Sequence, residues 1–289
     1  MALQVAFLTA AAWPTLYEDD RLAADALSAH GVSVTPVVWT ETNEAALAPF
    51  DAVVMRSPWD WYRRRDEFRA FLSLLRRVHT RVFNPPEVMV EFADKAVLPR
   101  LATERGVRVV PSEVLAPDEL SRVPALLEAR GWTRAVLKPA FTANAYGARR
   151  FDASDVDRVV GEAAHVDAGG PWLLQPYVEA ISDGEKSFVF FDGVFSHAVL
   201  KRPKAGDWRV QVEHGGGAEP YAASAAEVTE ATELLARSAP GTLYARVDAV
   251  PYEGALRLME LEVVEPELFF RFEPSAAARF ASSLLRHLR

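Results

Sequence analysis

Two stretches late in the chain, Leu243 to Val250 and Leu256 to Val263, limit its folding more than any other part. Both have strand character, and Pro251 to Gly254 between them is a turn signal. With Glu253 to Ala255 as a three-residue loop, Tyr252 pairs with Leu256 and Asp248 falls opposite Glu260. Side chains alternate along a strand, so Glu260 and Glu262 share one face while Met259, Leu261 and Val263 fill the other. Carboxylates side by side in apolar strands repel each other and resist burial. A divalent cation between them resolves this. Magnesium suits best, being a hard ion that takes one or two carboxylates plus phosphate oxygens. A half-exposed sheet face with solvated glutamates resolves it equally well for the second strand alone. Asp248 on the facing strand makes three acids on one hairpin face, which favours the cation.

The chain has 289 residues, 50% of them apolar, enough for one large domain or two to three small ones. Its 40 acids outnumber its 32 Lys and Arg, for a net charge of −8. That balance argues against nucleic-acid binding and against an anionic membrane surface. The absence of Cys excludes disulfides, thiol nucleophiles and Cys-based zinc sites, and fits a cytoplasmic protein. The apolar run from Ala2 to Trp13 has no basic residues before it, so it reads as a first strand, Leu3–Thr9, rather than a signal peptide. No run approaches the length of a membrane span.

The first part of the chain alternates strand and helix. Strands are expected at Leu3–Thr9, Val32–Trp39, Ala52–Met55 and Val82–Phe83, with helices at Asp19–His30 and Asp66–Val78. This predicts a small open parallel sheet, whose ligands gather at the carboxyl ends of its strands. The loop Arg56 to Tyr62 follows the third strand and is either a substrate loop or a structural turn with packed indoles. Helices follow at Glu91–Arg105, carrying Asp94 and Lys95, and at Pro117–Arg130, with a strand at Val107–Val110 between them. A strand at Arg134–Lys138 leads into a loop of small residues, Ala140 to Ala148. Small side chains let backbone N–H groups approach an anion, although the Gly-Lys-Ser/Thr ending of a Walker loop is missing. Helix Asp155–Ala164 and strand Trp172–Gln175 come next. Lys186–Phe191 and Val194–Lys201 form a hairpin around Asp192-Gly193. The loop Lys201 to Arg209 holds four cations in an acidic chain, a pattern that favours an anionic partner over open solvent, and His214 to Gly217 extends it. Helices at Glu227–Ser238 and Pro274–Leu288 flank the acidic hairpin. The six His show no zinc-ligand spacing, and His214 alone sits where it could meet a substrate.

In chain order these parts are a lysine in a linker helix, a lysine on a strand, a small-residue loop, a hinge, a basic loop and a carboxylate hairpin. That order resembles the ATP-grasp ligases, most closely bacterial glutathione synthetase, and is also similar to the cycloserine-forming ATP-grasp ligase. The segment Tyr177 to Ser187, followed by a strand and Asp192-Gly193, looks like the family's adenine hinge and ribose-binding turn. Met55-Arg56 with Pro58 and Asp60 looks like the corresponding loop of the glutathione synthetase N-terminal domain.

The resemblance implies an α/β (α+β) ATP-grasp fold: a parallel-sheet substrate domain over 1–90, a lid subdomain over 91–172 and a metal-bearing subdomain over 173–289. It implies ATP and magnesium as cofactors, with two ions expected and manganese able to substitute. Lys95 and Lys138 would hold phosphates, and Thr142 to Gly147, including Asn144, would close over them. Gln175, Tyr177 and Val178 would line the adenine, and Glu185 would bind the ribose. Arg202 would reach the transferring phosphoryl group and Arg209 the acyl phosphate or the acceptor. Asp248, Glu260 and Glu262 would hold magnesium, and Arg56, Trp59, Asp60, Gly216 and Glu265 would meet the substrate. The implied reaction joins a small-molecule carboxylate to an amine through an acyl phosphate, in a monomer or homodimer. Intramolecular cyclisation and non-catalytic ATP binding are the alternatives. Two departures stand out. Glutathione synthetases carry Asn where Glu262 stands, and small hydroxylated residues where Val263 to Glu267 stand. The acidic end made by Glu265 and Glu267 favours an amine and repels a second carboxylate, which argues against glutathione synthesis itself.

Overall fold

The structure is a computed structural model that describes residues 2–204, 206–210 and 215–289. The first sheet contains β1 (Leu3–Thr9), β2 (Val32–Val38), β3 (Ala52–Ser57) and β4 (Arg81–Phe83), all parallel, in the order β2-β1-β3-β4. The crossovers carry α1 (Glu18–Ser28), the short α2 (Glu44–Leu47) and α3 (Arg65–Leu75). A parallel sheet covered on both faces needs apolar residues on both. Alternate residues divide accordingly: Val5, Phe7 and Val54 pack on the side of α1, and Ala6, Leu8 and Met55 on the side of α3.

The helix expected over Glu91–Arg105 is broken. Instead α4 (Pro86–Phe92) and α5 (Val97–Arg105) are separated by a turn. The Asp94 carboxylate accepts from the Ala96 N–H, and the Lys95 N–H donates to the Ala140 carbonyl. Pro99 can then sit in the first turn of α5, where a missing N–H is tolerated. The break aims Lys95 away from the helix surface and into a cleft.

The second sheet is antiparallel, with β5 (Glu113–Leu115), β6 (Arg134–Pro139), β7 (Arg149–Asp152) and β8 (Trp172–Pro176) in the order β5-β8-β6-β7. Helices α6 (Val123–Arg130) and α7 (Val156–Ala163) cover it around Trp172. The strand expected at Val107–Val110 reduces to one isolated bridge, Val109 to Leu258. The third sheet has β9 (Glu185–Phe191), β10 (Val194–Arg202), β11 (Gly217–Tyr221), β12 (Tyr244–Tyr252) and β13 (Ala255–Glu262), in the order β11-β10-β9-β12-β13. Helix α8 (Ala225–Ser238) packs on one face of it. Helix α9 (Ala276–Leu288) returns to seal the third sheet against the first through Phe280, Phe191 and Phe7.

The β12–β13 hairpin reaches the expected register by a different route. Its turn has two residues, Glu253 and Gly254, at φ 51° and 79°, and Tyr252 pairs with Ala255. A bulge then leaves Met259 unpaired between Leu258 and Glu260. One residue fewer in the turn and one more in the strand cancel, so Asp248 still lies opposite Glu260.

Candidate active site

All three sheets contribute to one cavity of about 390 Å³. Lys95 from the broken helix, Lys138 from β6 and Arg209 from the basic loop bring positive charge to it. The Lys95 ammonium lies 3.0 Å from the Glu260 carboxylate and also donates to the Thr142 carbonyl. Burial alone would lower its pKa, but Glu260 outweighs that and holds it above the ordinary lysine range. Lys138 is different. Burial pushes its ammonium below the ordinary range, with the Glu260 charge opposing and Lys95 adding to it. No described residue pairs with it. A half-buried ammonium that lines a cavity with no carboxylate in contact among the described residues is a place for an anion. Arg209 is folded back on Asp207, at 2.8 Å.

The acids line the same cavity. Asp248, 2% exposed, accepts from Ser187 Oγ at 2.6 Å, Lys201 Nζ at 2.9 Å and Arg246 Nη2 at 2.9 Å. Burial opposes its ionisation, yet Arg246 and Lys201 hold it well below the usual carboxylate range. Glu262 pairs with the same Arg246, and Glu185 with the same Lys201 at 2.5 Å. Glu262 is nevertheless pushed up, first by burial and then by Asp248 and Glu260, because Arg246 is shared with Asp248. The surplus is negative, and the donors are hard oxygens, so a divalent cation fits this end. Asp248, Glu260 and Glu262 are not drawn together, and among the described residues no three acids form a ready metal cluster. One or two of these carboxylates completed by phosphate oxygens is the ligand set the geometry allows, and it is the set magnesium prefers.

Beyond β13 the chain runs through Val263 to Leu268 with its carbonyls captured one after another by side chains. Asn84 Nδ2 takes that of Val263 at 2.6 Å, the Tyr244 hydroxyl that of Val264 at 3.0 Å, and the Trp59 indole that of Glu265 at 2.8 Å. Arg56 takes that of Pro266 at 3.2 Å, Arg246 that of Glu267 at 3.0 Å, and the His197 ring meets that of Leu268 at 3.1 Å. Asp19 then accepts from the N–H groups of Phe270 and Arg271. This clamp presents Val264, Glu265, Glu267 and Phe269 to the cavity. The Trp61 indole donates to the Glu265 carboxylate, and Glu267 pairs with Arg271 at 2.6 Å. Trp13, Tyr17 and Trp59 close this end edge to face, with ring centroids 4.8–5.8 Å apart.

Of the site residues expected from sequence, Lys95, Lys138, Thr142, Asn144, Gln175, Glu185, Arg209, Asp248, Glu260, Glu262, Glu265 and Trp59 line this cavity together. Others lie elsewhere. Arg56 is fully buried on Asp20 at 2.7 Å and under the Tyr244 ring, so it clamps the 263–268 segment and does not face a ligand. Asp60 accepts from the Trp39 indole at 2.7 Å, away from the cavity. Arg202, the expected phosphoryl contact, points outward to Glu219 at 3.0 Å and the Asp183 carbonyl at 2.8 Å. The Tyr177 ring is flanked by Arg134 and Arg150, and the Val178 side chain joins an apolar cluster with Ile181 and Val250, so only their backbone is left to face a ligand. Gly147 packs on Pro139, where an added Cβ would come within 2.9 Å, and Gly216 lies beside the lining residue Ala218 without lining the cavity itself. His214 falls outside the described residues.

Sequence reasoning missed Lys201 and Arg246, the two cations that neutralise the acids. Lys201 pairs in register with Glu185, a signal readable only once the β9–β10 alignment is known. Arg246 shares a strand face with Asp248 at spacing two, which was visible but unused. The apolar walls Ile181 and Met259 and the aromatic residues Trp13 and Tyr17 were also missed, whereas Trp61 belongs to the Arg56 to Tyr62 loop expected either to meet the substrate or to be a structural turn.

Residues 5–84 match the family described as "D-cycloserine synthetase DcsG, N-terminal domain", and residues 101–271 match "Prokaryotic glutathione synthetase, ATP-grasp domain". The chain is 33% identical over 273 residues to the cycloserine biosynthesis protein DcsG of Streptomyces lavendulae, covering 90% of each. It is 27% identical over 267 residues to the glutathione synthetase of Prochlorococcus marinus (strain MIT 9313), covering 88% of this chain and 80% of that one. The crystal structure of D-cycloserine synthetase DcsG superposes with a TM-score of 0.89 at 30% identity, covering 99% of this chain and 100% of that chain. A RimK domain ATP-grasp protein from Sphaerobacter thermophilus DSM 20745 shares the fold, with a TM-score of 0.73 at 16% identity over 96% and 98% of the two chains. Such ligases use ATP and magnesium, and among the described residues no helix here is long and apolar enough to cross a membrane. The chain belongs to the ATP-grasp ligases and carries an ATP-grasp domain of the prokaryotic glutathione synthetase type.

Proposed function

We propose that this protein joins a carboxylate to an amine on small, amino-acid-like substrates, forming an amide and releasing ADP and phosphate. The observation that carries this reading is the pairing, in one cavity, of Lys138, which no described residue pairs with, and a carboxylate set that fits a divalent cation. A carboxylate oxygen of the substrate attacks the γ-phosphorus of ATP, giving an acyl phosphate that a nitrogen then displaces. Lys138 and Lys95 orient the phosphates, and Thr142 to Gly147 cover them. Gln175, Ile181, Met259 and the backbone at Tyr177 and Val178 receive the adenine, and Glu185 the ribose. Magnesium, or manganese in its place, would be held by one or two of Glu260, Glu262 and Asp248 together with phosphate oxygens and would neutralise charge on the transferring group, with two ions expected. The boundaries 1–90, 91–172 and 173–289 serve as substrate, lid and metal-bearing parts.

A second reading keeps the site and makes the attacking nitrogen part of the same molecule, so that the product is cyclic. Its support is the similarity to a cycloserine biosynthesis protein along nearly the whole chain. An ADP-release screen with magnesium ATP, amino acids and amines tests both. A pair that releases ADP together but not singly supports the ligation. A single compound that releases ADP alone and loses water supports the cyclisation. No ADP with any of them rules out both.

A further inference from the structure

Among the described residues six acids line the cavity: Glu185, Asp248, Glu260, Glu262, Glu265 and Glu267. Five are matched by a cation, namely Lys201 for Glu185 and Asp248, Lys95 for Glu260, Arg246 for Glu262 and Arg271 for Glu267. Glu265 is the exception. Among the described residues its only side-chain donor is the neutral Trp61 indole. A half-buried carboxylate in a cavity, with no cation in contact among the described residues, calls for a cation or a proton from the ligand.

The chain also fixes where Glu265 stands. Trp59 holds its carbonyl at 2.8 Å and Trp61 holds its carboxylate, so two indoles spaced by one residue grip both ends of one glutamate. Both indoles are immobilised. Trp61, 2% exposed, stacks on Phe68 with centroids 5.0 Å apart and meets Phe141 edge-on at 4.9 Å. Trp59 is wedged between Trp13 and Tyr17 at 5.1 and 4.8 Å. Side chains locked by packing place a reacting group far more accurately than a loop would.

We propose that Glu265 receives the attacking nitrogen and takes its proton, and that Trp59 and Trp61 are the residues that position it. This rests on the ligase reading above. The ammonium gives one proton to the Glu265 carboxylate, and the freed lone pair attacks the acyl carbon. The C–N bond forms as the C–O bond to phosphate breaks. Phosphate leaves with that electron pair and takes the second nitrogen proton. The products are the amide, hydrogen phosphate and a protonated Glu265. Burial raises the affinity of this carboxyl for a proton, as a base working near neutrality needs, with the Trp61 donor and Lys95 acting against that and Glu260 adding to it.

Hydroxylamine separates the two halves of the reaction, because it is unprotonated at neutral pH and captures an acyl phosphate without a base. Glu265→Gln is expected to form hydroxamate within about threefold of the parent, while amide formation with a protonated amine falls about 10²-fold or more, the usual worth of a positioned base. Trp61→Phe, which keeps the ring packing, is expected to slow amide formation and to move the acid limb of its pH profile upward, since the carboxylate loses its donor. Equal loss of both products in Glu265→Gln, or loss of neither, overturns the assignment. So does an unshifted pH profile in Trp61→Phe, which also serves if Glu265→Gln does not fold. Absence of both products with the parent protein would instead refute the ligase reading itself.

Discussion

Replacing Lys138 by Met separates a binding role from a structural one by the sign of the stability change. The Lys138 ammonium has no partner among the described residues, and burial lowers its pKa. The folded state therefore binds this proton less well than the unfolded chain does. Stability contributed by the group is lowest at neutral pH and rises as pH climbs through the folded pKa toward 10.5. An apolar side chain of similar length removes that penalty, so Lys138→Met should be more stable than the parent by about 1 kcal/mol, or about 2 °C in melting temperature. Binding should move the other way. A charge-assisted contact to phosphate is worth about 1.5–3 kcal/mol, so nucleotide affinity should fall about 10- to 100-fold. Thermal melts with and without magnesium ATP measure both: a higher baseline and a reduced nucleotide shift. A variant that melts several degrees lower than the parent and keeps its full nucleotide shift would show that Lys138 is a core residue and would refute the argument.

Asn84 is fully buried and joins the first sheet to the third, donating to Tyr244 and Val263 carbonyls at 2.8 and 2.6 Å and accepting from Leu243 N–H at 2.7 Å. Asn84→Ala should therefore lower stability by about 3–4 kcal/mol in urea denaturation, against about 1 kcal/mol for the exposed helix cap Asn43→Ala, and similar losses would contradict the reading. Glu227 is held down to about 2, against burial, by Lys186, Ser224 and Tyr221. Its stabilisation is complete above about pH 4.5 and is lost as pH falls toward 2, so Glu227→Gln should cost about 1–2 kcal/mol at pH 7 and nothing in an acid melt at about pH 2. Arg202→Ala should leave ADP release within about threefold of the parent, because that guanidinium faces solvent. A loss of about 10²-fold would return it to the reaction centre.

The parts legible in the sequence were those governed by local rules. The hairpin of acids, the parallel sheet of the first residues and the lysine-bearing strand follow from period-two patterning and turn residues. The hairpin register was reached with the wrong turn and without the bulge, because a bulge at Met259 leaves no mark on an alternating pattern. The helix break before Val97 was missed because Asp94 and Lys95 are ordinary helix residues, and only the Ala140 carbonyl, far along the chain, pulls the turn open. Arg56 was read as a ligand contact because it ends a strand at the right edge of its sheet. Its true partner, Asp20, comes from α1, and only the folded packing brings the two together. Pairing between distant elements, not local preference, decides these cases.

The capture of successive carbonyls from Val263 to Leu268 by different side chains has a consequence for how such a protein diverges. Insertion or deletion of one residue there would shift every oxygen off its donor at once, and would rotate the acidic side chains out of the cleft. Length in this stretch is therefore frozen, while side chains there can be exchanged without moving the backbone, because the donors hold only its carbonyls. New substrate preferences would arise here by exchanging side chains on an unchanged rail, never by lengthening it.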